Sequence, residues 1–248
     1  MALSPGLRTG MERVLIVGGS SGMGLALARR LLGEAGEIII AGRSRTRLDA
    51  AWTALGSPPN VRAEMLDATR EQDVAEFFRT SGPIDHIVTT AASIDEAYRL
   101  LPELSLSAVR RVTDSKLFGP WLLAKYGAPM LREKGSLTFT SGIAAYRPAA
   151  KGSAVAAVNG ALESLASALA IELAPIRVNV VSPGWVDTPI WDQIAGDAKA
   201  ETLAAMAKRL PVGRIGQVED IADAIRFVMG NGFVTGTVLH VDGGHRLV

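Results

Sequence analysis

Three glycines near the N-terminus have the spacing of a phosphate-binding turn. Gly18, Gly22 and Gly24 follow the apolar run Arg13–Val17 and open a segment of helical period. Such a turn lets backbone N–H groups approach a pyrophosphate, and the helix after it presents the positive end of its dipole to the same charge. The alternative is an ordinary glycine-rich turn without a ligand. We predict a dinucleotide site here, which also includes Ser20, Ser21 and Met23.

A second group of candidate ligands follows the next apolar run. No acidic residue stands between Ile38 and Leu48, where proteins that select NAD place a carboxylate for the ribose 2′-hydroxyl. A guanidinium in that place suits a 2′-phosphate, because it donates two parallel hydrogen bonds. We therefore predict NADPH/NADP+ as the cofactor, with Arg43 on the phosphate and Ser44 and Arg45 as helpers. The alternative is that both arginines are only solvated.

An acidic residue marks the end of the third apolar run. Asp67 is expected to accept a hydrogen bond from the adenine amino group, with Ala68 beside it. Its alternative role is capping near Thr69, and the two roles are compatible.

The elements that must position these residues alternate along the chain. Short, β-branched apolar runs are typical of strands covered on both faces; they lie at Arg13–Val17, Glu37–Ala41, Val61–Met65, Asp85–Thr89, Ser136–Thr140, Arg177–Val181 and Val238–Val241. Segments of helical period lie at Gly22–Leu32, Arg45–Leu55, Glu71–Arg79, Leu106–Leu131, Ser153–Leu173 and Val218–Met229. This alternation predicts an α/β fold, a three-layer doubly wound Rossmann fold with a seven-stranded parallel sheet. We expect a flexible tail over residues 1–10 and a single domain over 11–248.

Composition narrows the classes of function. The 248 residues include no cysteine and three histidines without metal-ligand spacing, so we expect neither disulfides nor a metal site. A formal net charge of +1 gives no reason to expect a nucleic acid or a membrane surface as partner. No apolar run reaches the roughly 18 residues that span a bilayer, and the N-terminus has no stretch of signal-peptide length. We expect a cytoplasmic protein.

Over nearly its whole length the chain resembles the short-chain dehydrogenase/reductase family. Besides the glycine turn, the resemblance is carried by Asp67–Thr69, by PGWVDTP from Pro183 to Pro189 and by VTGTVLHVDGG from Val234 to Gly244. It implies a nicotinamide cofactor and a dimer or tetramer built partly from the two long helices. The resemblance places four further residues beside the nicotinamide, namely Pro183, Gly184, Val186 and Thr188.

The resemblance fails where the family's proton-transfer residues should stand. Val155 takes the place of the tyrosine in the Tyr-x-x-x-Lys pair, Asn159 that of the lysine, and Lys116 that of the supporting asparagine. The serine is represented by Ser141. The Asn-Asn-Ala-Gly stretch after the fourth strand is replaced by Thr89-Thr90-Ala91-Ala92, in which Ala91 and Ala92 are still expected beside the cofactor.

Valine can neither donate a proton nor hold a ribose, so other groups must act if turnover is retained. Our hypothesis is that Lys116 supplies positive charge and also the proton, while Asn159 holds the ribose or an ordered water. Ser141 is expected to hydrogen-bond the substrate carbonyl, and Tyr146 is a second candidate acid. The alternatives are a solvent-exposed Lys116 and an Asn159 that is simply satisfied within its helix.

The substrate region is expected between Trp185 and Val212. Trp185 and Trp191 either line an apolar pocket or pack against the body of the fold, and no arginine cluster indicates an anionic substrate. The sequence thus predicts NADPH-dependent reduction of a small neutral ketone, diketone or aldehyde. A dinucleotide-bound sensor or regulatory protein without catalysis, and a non-redox enzyme on the same fold, remain open.

Overall fold

A computed structural model describes residues 12–248, which form one seven-stranded sheet in the order β3-β2-β1-β4-β5-β6-β7. All neighbouring strands pair in parallel. The strands are β1 (Arg13–Val17), β2 (Glu37–Gly42), β3 (Val61–Met65), β4 (Ile84–Thr89), β5 (Leu131–Thr140), β6 (Arg177–Pro183) and β7 (Val238–Val241). The predicted Rossmann fold is confirmed. The tail predicted over 1–10 lies outside the described residues.

Helices cover both faces of this sheet. They are α1 (Gly22–Leu31), α2 (Arg45–Ala54), α3 (Glu71–Ser81), α4 (Leu106–Thr113), α5 (Gly119–Gly127), α6 (Ser153–Glu172), α7 (Ile190–Ile194), α8 (Lys199–Ala207) and α9 (Val218–Gly230). Alternate residues of each strand face opposite layers. In β1, Val14 and Ile16 pack with α1 and α9, whereas Leu15 and Val17 pack with α5 and α6. Burial on both faces explains why the strands read as continuous apolar runs.

The strand order reverses between β1 and β4. From this point the chain proceeds to β2 on one side and to β5 on the other, so the loops after these strands separate and leave a crevice. Ligands of doubly wound sheets bind at this position, outside the carboxyl ends of the strands.

The single helix predicted over Leu106–Leu131 is wrong. The helix is interrupted by a π-helical turn, Asp114–Phe118, between α4 and α5, and Leu131 already belongs to β5. Pro120 has no N–H to donate to the carbonyl of Lys116, so regular α-helical bonding cannot continue there. Gly119 donates instead to the carbonyl of Asp114. The widened turn carries Lys116 into the protein interior, where its exposed fraction is 9%.

One helix of the described chain, α6, is long and apolar enough to cross a membrane by length and composition. Its buried residues, including Leu162, Ala166 and Leu169, pack in the core below the sheet. We therefore interpret α6 as a core helix.

A buried arginine connects β6 to the end of α9. Arg177 donates to the carbonyl oxygens of Val228 at 2.6 Å and Met229 at 2.5 Å, and more distantly to that of Val234. Carbonyls in the last turn of a helix have no partner within the helix, and a cation there also opposes the negative end of the dipole.

Replacing this guanidinium should destabilise the fold strongly. We expect Arg177→Leu to lower the free energy of unfolding by about 2–4 kcal/mol, because buried carbonyls lose charge-assisted partners. The melting temperature should fall by roughly 5–15 °C in thermal unfolding followed by circular dichroism. Arg214→Leu is the control, since its pair with Asp220 is exposed to solvent and should contribute little to stability. Equal losses in the two variants would contradict this account.

Candidate active site

The glycine turn ends in a helix whose first turn is suited to an anion. Ser21 is the N-cap of α1, its side chain makes no capping hydrogen bond, and no acidic residue stands in the first turn. The N–H groups there thus lack the side-chain partner that a capping serine normally supplies. With the helix dipole, they form a positive end that faces the crevice.

Close packing brings the glycine turn against the loop after β4. A Cβ on Gly18 would lie 2.7 Å from the backbone nitrogen of Ala91, and one on Gly24 would lie 2.3 Å from the carbonyl oxygen of Gly18. Only glycine fits at these two positions. Gly22 differs, because a Cβ there would meet only Pro189 and Thr188, at 3.8 and 4.0 Å. The sequence-predicted residues of the turn, of the β4 loop and of the Pro183–Pro189 segment therefore share one cleft.

Within this cleft the smaller predicted contacts lie where the elements end. Ser20 is near Gly42 at the end of β2, 3.8 Å from the position of a Cβ there. Ala68 packs against Gly119 at the start of α5. Met23 and Ala92 belong to the α1 start and the β4 loop, and Ala92 is exposed.

Arg43 reaches across the cleft, whereas its two predicted helpers are engaged elsewhere. Arg43 Nη2 donates to Ser93 Oγ at 2.9 Å, which links the loop after β2 to the loop after β4. Ser44 caps α2 by accepting from the backbone N–H of Arg47. Arg45 donates to the carbonyl of Ala63 at 3.1 Å, on β3. Of the three, Arg43 is the residue whose side chain extends across the cleft.

Asp67 holds the turn after β3. Its Oδ1 accepts from the backbone N–H and from the hydroxyl of Thr69, at 3.0 and 2.7 Å. This local turn leaves Oδ2 outside the two bonds. Asp67 therefore does not cap α3 directly; it stabilises a local turn with Thr69 that ends before α3 begins.

The Pro183–Pro189 segment is fixed to the end of the sheet. Gly184 donates to the carbonyl of Val241 at 2.9 Å, and a Cβ on Gly184 would lie 2.6 Å from Asp242 Cα. Val186 is buried and pairs with Gly216. These contacts hold the segment with Thr188 beside the glycine turn.

The two tryptophans of the substrate region stack on each other. The rings of Trp185 and Trp191 have centroids 4.4 Å apart, and Trp191 Nε1 donates to the carbonyl of Val186 at 2.8 Å. The pair thus forms one apolar wall beside the Pro183–Pro189 segment. A cavity beyond Trp185 is lined by residues of α8 and the turn after it, among them Met206 and Arg209.

Lys116 and Asn159 bind two consecutive carbonyl groups after β5. Lys116 Nζ donates to the carbonyl oxygen of Ser141 at 3.0 Å, and Asn159 Nδ2 donates to that of Gly142 at 3.3 Å. Asn159 Oδ1 is buried and has no hydrogen-bond partner. The cation and the amide that stand at exchanged positions in the sequence therefore come together in space.

The position one turn before Asn159 on α6 carries no hydroxyl group. Val155, one turn earlier on α6, is 4% exposed and packs in a small apolar cluster with Ile94 and Val158. Gly142 is the residue that lies against Asn159, because a Cβ on Gly142 would be 3.1 Å from Asn159 Nδ2.

Ser141 and Tyr146 both donate to a carboxylate that the sequence analysis missed. Glu163 Oε1 accepts from Ser141 Oγ at 2.7 Å, and Glu163 Oε2 accepts from the Tyr146 hydroxyl at 2.5 Å. Glu163 is 9% exposed. It lies four residues after Asn159, one turn further along the same face of α6, and that spacing is the signal that could have identified it.

The pKa values of two groups in this cluster are shifted by their surroundings. Desolvation lowers the pKa of the Lys116 ammonium to about 8, opposed by the negative charge of Glu163. Desolvation, together with the hydrogen bond to Glu163, raises the pKa of Tyr146 to about 12. Tyr146 also packs edge-on against His240, with ring centroids 4.6 Å apart. Within residues 12–248 no three His, Asp or Glu side chains cluster as metal ligands would.

Comparison with known proteins shows the family of this chain. Residues 17–246 match the family model described as enoyl-(acyl carrier protein) reductase. The short-chain dehydrogenase/reductase malC of Malbranchea aurantiaca is 34% identical over 95% of both chains. A cis-4-hydroxycyclohexanecarboxylate dehydrogenase of Sinomonas cyclohexanicum is 35% identical over 96% of this chain and 98% of its own.

Solved structures show the same similarity. The MalC reductase/Diels–Alderase structure matches with a TM-score of 0.90 and 33% identity, covering 99% of this chain and 100% of its own. A small-chain dehydrogenase in complex with NADPH matches with a TM-score of 0.82 and 33% identity, over 96% and 100%. This chain belongs to the short-chain dehydrogenase/reductase family, whose oxidoreductases bind a nicotinamide dinucleotide and act between CH–OH and C=O groups.

Proposed function

We propose that the chain is an NADPH-dependent reductase of a small neutral ketone, diketone or aldehyde, in which Lys116 replaces the usual tyrosine acid. The observation that carries this proposal is the buried ammonium of Lys116 at the carbonyl of Ser141, beside the amide of Asn159 on the next carbonyl. By the resemblance, Asn159 takes the position of the family's lysine and Lys116 that of its supporting asparagine. We also propose that the protein works in the cytoplasm as a homo-oligomer.

The cleft fits a nicotinamide dinucleotide. The uncapped start of α1 suits the diphosphate, and the space above Gly22 lies between the turn and Thr188. Asn159 Oδ1 is a buried acceptor without a partner, and a ribose hydroxyl is a donor that would satisfy it. When bound and reduced, the cofactor supplies the hydride.

Arg43 supports NADPH over NADH. Its guanidinium is exposed and already spans the cleft to Ser93, so it can turn towards a 2′-phosphate without leaving a buried pairing. No carboxylate between Ile38 and Leu48 would repel that phosphate. The solved NADPH complex of a related small-chain dehydrogenase is consistent with this preference.

Lys116 is the proton donor in this proposal. Hydride addition to the carbonyl carbon places negative charge on the carbonyl oxygen, which takes a proton from Nζ and becomes the alcohol hydroxyl. Lys116 is left as a neutral amine, which regains a proton from solvent after the product leaves. A pKa of about 8 allows both steps near neutral pH.

The hydroxyls of Ser141 and Tyr146 are less suited to this role. Each points its proton at Glu163, so neither offers one to an incoming carbonyl oxygen. The pKa of Tyr146, raised to about 12, makes its phenol a weaker acid than a free tyrosine. We assign Ser141 a structural role, in which its carbonyl accepts from Lys116 and its hydroxyl donates to Glu163.

The rate of reduction should depend on pH with one sign. Because the pKa of Lys116 is about 8, its ammonium is present below that pH and is lost above it. We expect kcat to be flat near neutrality and to fall about tenfold per unit well above pH 8. Steady-state rates from about pH 6 to about pH 10 check this; a kcat that rises through this range would contradict it.

One comparison favours a second candidate function. The related MalC structure is described as a reductase/Diels–Alderase, and a cycloaddition involves no net hydride transfer. A site without the family's tyrosine acid is compatible with such a step, or with a dinucleotide-bound regulator that turns over nothing.

A turnover panel distinguishes these functions. The purified protein is incubated with NADPH and a set of neutral ketones, diketones and aldehydes, and both cofactor oxidation and organic products are measured. Oxidation of NADPH matched by alcohol supports the proposal. Product without cofactor oxidation indicates a non-redox enzyme, and bound NADPH without any product indicates a regulator.

A further inference from the structure

Two opposite charges are buried on either side of Ser141. Lys116 Nζ binds its carbonyl oxygen at 3.0 Å, and Glu163 Oε1 binds its hydroxyl at 2.7 Å. Lys116 comes from the π-helical turn before α5, and Glu163 comes from the middle of α6. Ser141, directly after β5, therefore binds a cation through its carbonyl group and an anion through its hydroxyl group.

Hydroxyl groups meet both oxygens of the Glu163 carboxylate. Both of its oxygens accept from hydroxyl groups, Oε1 from Ser141 and Oε2 from Tyr146. An ionised carboxylate only accepts, and here each of its oxygens is met by a hydroxyl that can donate. A buried negative charge of this kind is stabilised by a nearby positive one, and it stabilises that positive charge in return.

We propose that Glu163 is a positioning residue that keeps Lys116 protonated, and that turnover depends on Glu163 through Lys116. The first half concerns the charge state of Lys116 alone, while the second half rests on the reductase function proposed above. Without the carboxylate, the ammonium would keep its hydrogen bond to the Ser141 carbonyl but lose the nearby negative charge, so burial would favour the neutral amine more strongly.

Other ionisable groups lie around the Tyr146 side of this cluster. Tyr146 lies in the loop after β5, His240 lies on β7 against the Tyr146 ring, and Arg246 follows β7. Burial lowers the pKa of His240, so its ring is neutral across the alkaline range in which Lys116 titrates. The pKa of Tyr146 is raised to about 12 and lies above that range. Glu163 is thus the group whose removal changes the charge that Lys116 faces.

The test follows the Lys116 amine directly. The ammonium and amine forms are distinguished by NMR of isotope-labelled lysine side chains across a pH titration, with the Lys116 signal assigned by its loss in Lys116→Met. We expect Glu163→Gln, which keeps the shape of the side chain, to lower the pKa of Lys116 by at least about one unit. An unchanged Lys116 titration in folded Glu163→Gln would overturn the proposal.

Two further variants separate charge from fold. Glu163→Asp retains the negative charge and should leave the Lys116 pKa within about half a unit of the wild-type value. Glu172→Gln makes the same chemical change on an exposed residue of α6 and should not move the Lys116 signal. A shift of equal size in Glu172→Gln would remove the assignment to Glu163.

Turnover separates this proposal from the function on which its second half rests. With a carbonyl substrate identified in the panel, the alkaline fall of kcat should move to lower pH in Glu163→Gln, by the same amount as the Lys116 titration. If the titration moves and the kcat profile does not, Glu163 still controls Lys116, but Lys116 is not the acid. If neither moves, the role of Glu163 is wrong.

Discussion

Lys116→Met should lower kcat for carbonyl reduction by at least about 100-fold, the usual scale for loss of a general acid. Methionine fills a similar volume without charge or proton, so the buried site should remain packed. The measurement is steady-state NADPH oxidation with a substrate from the panel. The KM for NADPH should change much less than kcat, because the groups proposed to hold the 2′-phosphate and the diphosphate are Arg43 and the start of α1.

Companion variants decide between charge and proton. Lys116→Arg retains a positive charge but cannot donate a proton near neutrality, so recovery of activity would assign Lys116 an electrostatic role only. Lys125→Met removes an exposed lysine of α5 that pairs with Glu71, and it should be neutral. If Tyr146→Phe loses 100-fold while Lys116→Met is near wild type, the acid is Tyr146 and the present assignment is wrong.

Arg43→Ala should weaken NADPH binding by roughly 10–100-fold and leave NADH binding nearly unchanged. The estimate follows from the worth of hydrogen bonds between charged groups, about 1.5–3 kcal/mol. Fluorescence or calorimetric titration with both reduced cofactors measures it. The loss should affect the phosphate-bearing cofactor alone, because NADH offers the guanidinium only a hydroxyl.

A matched arginine controls for net charge. Arg30→Ala removes the same side chain at the other end of α1, where Arg30 pairs with Glu34 and Asp223. It should leave both affinities within about twofold of wild type. Equal weakening of NADPH and NADH in Arg43→Ala would place Arg43 outside the 2′-phosphate site.

The sheet could be predicted from the sequence because its signal is local. Parallel strands that are buried on both faces need continuous apolar residues, and runs such as Leu15–Val17 and Ile38–Ala41 show this pattern in the sequence. The glycine turn was equally clear from its spacing after β1, and the structure shows that close packing at Gly18 and Gly24 excludes other residues there. The interrupted helix was not predicted, because its apolar pattern continues through Pro120 and only the missing N–H reveals the break.

The candidate site was predicted only in part, because side-chain direction depends on the fold. Lys116 and Asn159 meet at consecutive carbonyls, as their exchanged positions suggested. The direction of the Ser141 hydroxyl was beyond sequence reasoning, since neighbouring residues at the end of a strand face opposite sides. Glu163 escaped notice because charge on a long apolar helix reads as a solvated position, and only packing shows that it is buried.

The central claim is that the cleft above the glycine turn binds a nicotinamide dinucleotide whose reactive end lies beside Lys116 and Asn159. Calorimetric titration of the unmodified protein with NADPH, NADP+, NADH and NAD+ tests it most directly. The account predicts saturable binding of NADPH in the micromolar range or tighter, and weaker binding of NADH. If none of the four cofactors gives a binding signal in this titration, the account is contradicted.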